Sequence, residues 1–192
     1  MQRVVVFGTT GSGKSWLAGR LAECTGLRIV ELDQLYWARD WQPAPFELFR
    51  HRIECELKDG GWIVVGIYGQ VRDLTWGPAD TLIWLDLPFP LVLWRLLRRT
   101  IRRIATRENL WGTGNYESLG RTFLSRQSIL LWAMKTHRRN RRRFTEECAR
   151  FAGHKNIVHL RSAGEVERFM AGHGAAFDHV GSRAASLQRR AP

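Results

Sequence analysis

The chain has 192 residues, of which 44% are hydrophobic, 25% charged and 11% aromatic, enough apolar content for one packed domain and too much for a disordered chain. Thirty Lys and Arg stand against eighteen Asp and Glu, a formal net charge of +12, so anionic partners are to be expected. The longest apolar stretch, Thr81 to Leu97, is broken by Asp86, Pro88, Pro90 and Arg95, which excludes a membrane-spanning helix there.

Near the N-terminus the apolar run is only Val4 to Phe7, too short for the core of a signal peptide, and a cytoplasmic location is expected. That run is β-branched and aromatic and stops at Gly8, as a strand buried on both faces would. Leu17, Ala18, Leu21, Ala22 and Cys24 follow at helical spacing until Gly26, so a helix covers Gly13 to Thr25. Ile29 to Leu32 reads as a second strand, followed by a Trp- and Pro-rich loop. Pro45 then opens a helix marked by Phe46, Phe49, Ile53 and Leu57. Three further strands are predicted, at Trp62 to Val65, Thr81 to Leu85 and Asn156 to Leu160. Strands alternating with helices predict an α/β fold with a parallel sheet covered on both faces.

Between the last two strands lies an insert, about 91–152, too long for a plain crossover. Its segment Leu91 to Phe144 holds fourteen Lys and Arg and two carboxylates, Glu108 and Glu117, which accounts for the whole net charge. Trp111 to Tyr116, with two glycines and an asparagine, reads as the turn of a helical hairpin. Cys24, Cys55 and Cys148 are odd in number and scattered, so they read as packing residues and not as a disulfide or metal framework. Residues 1–171 are expected to form a single domain. The stretch from 172 to 192, without periodicity, is expected to be a mobile tail.

Gly8-Thr9-Thr10-Gly11-Ser12-Gly13-Lys14-Ser15 matches the phosphate-binding loop, between a buried strand and a helix as its mechanism requires. Gly8, Gly11, Ser12 and Gly13 supply converging backbone N–H groups, Lys14 a charge toward the β- and γ-phosphates of ATP, and Ser15 a hydroxyl for Mg²⁺. Trp16 stands where a small hydroxyl residue is common and is expected to pack behind the loop.

GTTGSGKS, with LDQLYWARDW (Leu32 to Trp41), GWIVVGIYGQVRDLTW (Gly61 to Trp76), ADTLIWLDLP (Ala79 to Pro88) and WRLLRRTIRR (Trp94 to Arg103), resembles the nucleoside-monophosphate-kinase branch of P-loop proteins. Within that branch it resembles the adenylate-kinase-related FlaR-type family, some of whose members carry the label "DNA topology modulation". The resemblance implies a five-stranded sheet ordered 2-3-1-4-5, ATP as phosphate donor and an arginine-bearing helical lid. It also implies that Arg72 reaches the acceptor phosphate, and that Arg95 lies over the adenine while Arg99 faces the phosphates. Relatives carry an acid on the third strand that helps to order Mg²⁺; here Val65 occupies the segment and the acid is missing.

Asp33, after the second strand, lies at the carboxyl edge where ligands of open α/β sheets bind; it is a candidate to hold the acceptor or Mg²⁺, and a turn or helix cap is the plain alternative. Tyr36, Trp37 and Trp41 beside it read as packing as readily as pocket wall. Asp86 ends the fourth strand in an hhhhD pattern and is a second candidate for the metal, or a structural turn. In the second insert helix, Leu130, Met134, His137, Arg141, Phe144, Cys148 and Phe151 share one face. An arginine on such a stripe either meets an anion, for which the nucleotide phosphates are the obvious choice, or snorkels to the edge of the stripe. Arg98, Arg102, Arg103 and Arg107 read as a solvated face.

The leading functional expectation is therefore an ATP- and Mg²⁺-dependent kinase acting on a small phosphate-accepting molecule, with Lys14, Asp33, Arg99 and Arg141 carrying catalysis. The competing one is an ATP-gated protein that binds nucleic acid through the basic hairpin, with Trp111 and Tyr116 at its tip.

Overall fold

The computed structural model describes residues 1–117 and 129–173, with side chains from 137 onward in the second segment. Five strands, β1 (Arg3–Gly8), β2 (Arg28–Glu31), β3 (Trp62–Val65), β4 (Thr81–Leu85) and β5 (Asn156–Leu160), form one parallel sheet in the order β2-β3-β1-β4-β5. The helices are α1 (Lys14–Thr25), α2 (Leu32–Tyr36), α3 (Phe46–Leu57), α4 (Arg72–Thr75), α5 (Phe89–Thr106) and α6 (Ile129–Phe151), with a seventh, α7, over 163–173. No helix among the described residues is long and apolar enough to cross a membrane.

The two-residue period of the strands sorts the core. Val4, Val6, Ile63, Val65, Ile83 and Leu85 point to one face, packed against Leu17, Ala18 and Leu21 of α1 and Val166 of α7. Val5, Phe7, Val64, Leu82 and Trp84 point to the other, packed against Phe49 and Ile53 of α3 and Phe144 and Cys148 of α6. β1, in the centre, is covered on both sides, which is why its sequence runs apolar without alternation. The expected strands after the second agree with the observed bounds, while the second ends one residue early because Leu32 turns into α2.

The insert forms α5 and α6 with a turn between them, closed by a bridge between Leu110 and Asn115. Phe144 carries the docking of α6, with its ring edge-on to Phe7 at 5.4 Å and to Trp84 at 5.9 Å. Of the cysteines, Cys148 packs in the core as expected, but Cys55 is exposed, with its sulfur 3.6 Å from His51 Nε2 one turn away. Leu130 and Met134 fall outside the described side chains, and the tail from 174 outside the described residues.

Phe144→Ala is expected to lower unfolding free energy by about 3–5 kcal/mol through lost burial and the cavity left behind, read as a drop in denaturant midpoint. Phe46→Ala, at an exposed position, is expected to stay within about 0.5 kcal/mol of the parent in the same measurement.

Candidate functional site

β1 delivers the chain into the loop Thr9 to Gly13 at the carboxyl edge of the sheet, and α1 leaves from it. Gly11 has φ +82, and a Cβ there would stand 2.8 Å from the Val92 carbonyl oxygen and 3.0 Å from Leu96 Cβ, so α5 lies directly against the loop. Gly13, at φ +97, caps α1 in the left-handed conformation. Arg95 reaches over the loop to donate from Nη1 to the Ser12 carbonyl at 3.4 Å. The Ser12 hydroxyl is buried without a hydrogen-bond partner among the described residues.

Lys14 folds back to donate from Nζ to the Thr9 carbonyl at 3.0 Å. Burial lowers its pKa to about 8, against the opposing pull of Asp33 and Glu31, with Arg99 adding to the depression. Three charges from distant segments thus meet at this amine. Arg99, on the buried flank of α5, is itself held below the usual arginine range by burial and by neighbouring Arg103, and its Nε has no hydrogen-bond partner among the described residues. Asp33 lies in α2, where it accepts a 2.6 Å hydrogen bond from the Tyr68 hydroxyl. Burial, then the Asp33 carboxylate, push the Tyr68 pKa upward, keeping it a donor. The cap of α2 is Glu31 and not Asp33, so Asp33 is not spent as a helix cap.

Glu31 was not legible as a site residue. It ends β2 in register with Val65 of β3, its carboxyl meets the Ser15 hydroxyl, and burial raises its pKa. The acid absent at position 65 thus has a counterpart one strand away, on the face that carries α1. Val65 itself is 2% exposed and belongs to the core. The signal in the sequence was the pair Glu31-x-Asp33 at a strand end.

Other expected residues are placed differently. Arg72 is turned toward the core: it donates from Nη1 to Glu147 of α6 and lies over the Trp76 ring at 5.3 Å. It does not open toward Asp33. Glu147 also accepts from Arg143 Nε at 2.9 Å. Arg141 finds its anion within the protein, donating from Nε to Asp86 at 3.0 Å, so the nucleotide phosphates are not the partner the structure gives it. Asp86 is correspondingly taken up by Arg141 and by His159 Nε2, also at 3.0 Å, and does not join Ser15. Arg103, expected to be solvated, is 19% exposed and pairs with Glu117 at 3.0 Å. Trp16 does not pack behind the loop but is 58% exposed.

The aromatic residues after Asp33 form a chain of rings, Tyr36 to Trp37 at 4.9 Å, Trp37 to Trp41 at 5.8 Å and Trp41 to Trp111 at 6.1 Å. The last contact joins the turn of the insert to the loop after α2. Asn115, 1% exposed, accepts from the Trp41 N–H at 2.9 Å and donates to the Ala38 carbonyl at 2.8 Å. The insert is thus seated on the loop after α2, with Trp111 packed against Trp41 and not presented outward.

No family model matches the sequence, and no curated protein does. Among solved structures, the chain is similar to a shikimate kinase from Bacteroides thetaiotaomicron, with a TM-score of 0.52 and 10% identity over 92% of this chain and 98% of that one. It is also similar to a sugar kinase from Janibacter sp. HTCC2649, at 0.49 and 17% identity over 100% and 96% of the two chains. A gluconokinase from Sinorhizobium meliloti 1021 gives 0.49 and 17%, over 95% and 97%. The fold is that of P-loop kinases.

Because Lys14 is depressed to about 8 and bound phosphates would restore its charge, ATP binding at about pH 9 is expected to take up close to one proton, and none at about pH 6.5. Calorimetry in buffers of different ionisation enthalpy reads this directly. By the same sign, the free protein gains stability from this group as pH rises from about 8 toward the ordinary lysine value, where the unfolded chain also loses the proton.

Proposed function

We propose that the protein is an ATP-dependent phosphotransferase that acts on the hydroxyl or phosphate of a small molecule, working as a single kinase-like domain with α5 and α6 as its lid. The observation that carries this is the convergence of Lys14, Glu31, Asp33 and Arg99 beside a phosphate loop. FlaR-type kinship, drawn from the motifs, is part of the same proposal.

In this reading the loop amides and Lys14 hold the β- and γ-phosphates, and Arg95 covers the base. Arg99, already desolvated, faces the charge that develops as the γ-phosphoryl group moves. Its unpartnered Nε costs free energy that an oxyanion would recover. Asp33, fixed by Tyr68, orients the acceptor oxygen and takes its proton as the bond to phosphorus forms and the bond to ADP breaks. Ser15 with Glu31 and Asp33 is the oxygen-donor set that suits Mg²⁺, through the hydroxyl directly and the carboxylates through water. Bound there, Mg²⁺ would neutralise phosphate charge. Asp86 and Arg141 are left out of the site because they neutralise each other.

Asp33→Asn is expected to cut ADP release by at least about 10²-fold while leaving ATP affinity within a few-fold, in an assay with nucleoside monophosphates and hydroxylated metabolites as acceptors. Lys14→Ala is expected to lose both. If Asp33→Asn shifts only the melting temperature, Asp33 is structural and the phosphotransfer assignment of that residue is wrong. Val65→Asp, which would crowd a second carboxylate against Glu31 inside the core, is expected to destabilise and not to activate.

One observation favours the nucleic-acid reading. α5 turns Trp94 and Ile101, 63% and 58% exposed, outward beside Arg98 and Arg102, a mixture of rings and guanidinium groups that suits a single strand. Salt-sensitive binding of single-stranded DNA, lost in the Trp94→Ala and Arg98→Gln variants, would decide for it; binding weaker than about 10⁻⁴ M at physiological salt decides against it.

A further inference from the structure

The cluster that took Asp86 and Arg141 out of the phosphate-loop site forms a site of its own. Asp86 follows Trp84 by two residues and so projects from the same face of the sheet, the face that carries α6 and not α1. His159 of β5 stacks on Trp84 at 4.0 Å with the rings within 2° of parallel. Arg161 donates to His159 Nδ1 from Nη2 at 3.3 Å and from Nε at 3.4 Å. An Nδ1 that accepts from Arg161 leaves Nε2–H to donate to Asp86. The row Arg161, His159, Asp86, Arg141 therefore holds two guanidinium charges and one carboxylate.

Beside this row is a cleft of about 380 Å³ lined by Asp86, Leu87, Pro88, Phe89, His137, Arg138, Arg141 and Arg161. Three arginines face one carboxylate, leaving an excess of two positive charges. The donors are not exhausted: Arg141 uses only Nε, Arg161 leaves Nη1 free, and Arg138 makes no hydrogen bond or ion pair among the described residues. His137 lies against the Phe89 ring at 5.0 Å, and its Nδ1 is buried with no hydrogen-bond partner among the described residues. Burial holds its pKa below the ordinary histidine value, so this nitrogen belongs to a neutral ring able to donate or accept.

Arginines held together at a wall, with an unpaired ring nitrogen between them and an apolar floor of Leu87, Pro88 and Phe89, are chemically suited to a dianion on a small organic body. We propose that this cleft binds a phosphorylated small molecule through Arg138, Arg141 and Arg161, separately from the phosphate loop. The charges acting on Lys14 come from Asp33, Arg99 and Glu31, so the two sites share no charged residue. The phosphate group takes the arginine side; the body of the ligand lies over Phe89 and Pro88. The proposal does not depend on the protein being a kinase.

The test is titration of the Lys14→Ala variant, whose phosphate loop is silenced, with inorganic phosphate and with AMP, following the ring signals of His137 and His159 by ¹H–¹⁵N NMR at fixed pH and ionic strength. The parent saturated with ATP serves as the second preparation should that variant fold poorly. Both ring signals are expected to shift saturably with a Kd of about 1 mM or tighter, AMP binding more tightly than phosphate because its ring uses the apolar floor. Arg138→Gln and Arg161→Gln are each expected to weaken binding by about tenfold. Chloride at the same ionic strength should leave the signals where they are. The proposal is overturned if the ring signals do not move in either preparation, or if they move equally in the two arginine variants, which is the behaviour of a diffuse ion atmosphere.

Discussion

The contact between α5 and Gly11 is the constraint on which the site depends. With the Val92 carbonyl and Leu96 Cβ within about 3 Å of where a side chain would begin, no residue but glycine lets this helix lie on the phosphate loop. The approach fixes the rotation of α5 about its axis. Val92, Leu96 and Thr100 are buried, which leaves Arg95 beside Ser12 and Arg99 turned toward Lys14 and Asp33. Arg95 and Arg99 thus stand at the phosphate loop without any rearrangement, because the first two turns of α5 are part of the loop's own packing.

The net charge of +12 is consequently not one patch. Arg72 and Arg143 converge on Glu147, Arg103 on Glu117 and Glu108, and Arg141 on Asp86. Glu147, Glu117 and Asp86 are deeply placed, with side chains 9%, 10% and 5% exposed, and each would be costly to bury alone. Such pairs orient segments more than they stabilise them: Glu147 ties α6 to the loop after β3, and Glu117 ties the turn of the insert to the last turn of α5. Spare guanidinium donors remain on Arg99 beside the phosphate loop, and on Arg138 and Arg141 of α6 and Arg161 after β5 at the second cleft.

The sheet was legible because its strands are buried on both faces and bounded by glycine, proline and aspartate, so composition and punctuation agreed. The phosphate loop was legible because backbone geometry, glycine spacing and a lysine are needed together. Asp33 and Arg99 were candidates from position in the fold and from resemblance, and both lie close enough to Lys14 to act on its charge. What was not legible was long-range pairing. Nothing local in Arg72 announces Glu147, 75 residues away, and a stripe that shows Arg141 needs an anion cannot say whether a phosphate or Asp86 supplies it. Glu31 was missed for a different reason: in a four-residue strand ending in a charged residue, the charge reads as the strand's exit to solvent, whereas register with Val65 turns it inward toward Ser15.

The seat of the insert on the loop after α2 rests on Asn115, and both of its bonds go to main-chain atoms, the Trp41 N–H and the Ala38 carbonyl. Trp41 and Trp111, which meet across that seam, both have backbone in the left-handed region, at φ 59 and 54, a conformation that non-glycine residues hold only when their surroundings enforce it. Main-chain recognition is blind to side-chain identity. Ala38 and Arg39 can therefore exchange side chains without the seam being rebuilt, whereas Asp40, at φ 57, is confined to residues that tolerate the left-handed region. The surface of the loop after α2 and the seating of the insert on it are therefore set by different atoms, side chains for the one and main chain for the other, and each can change without the other.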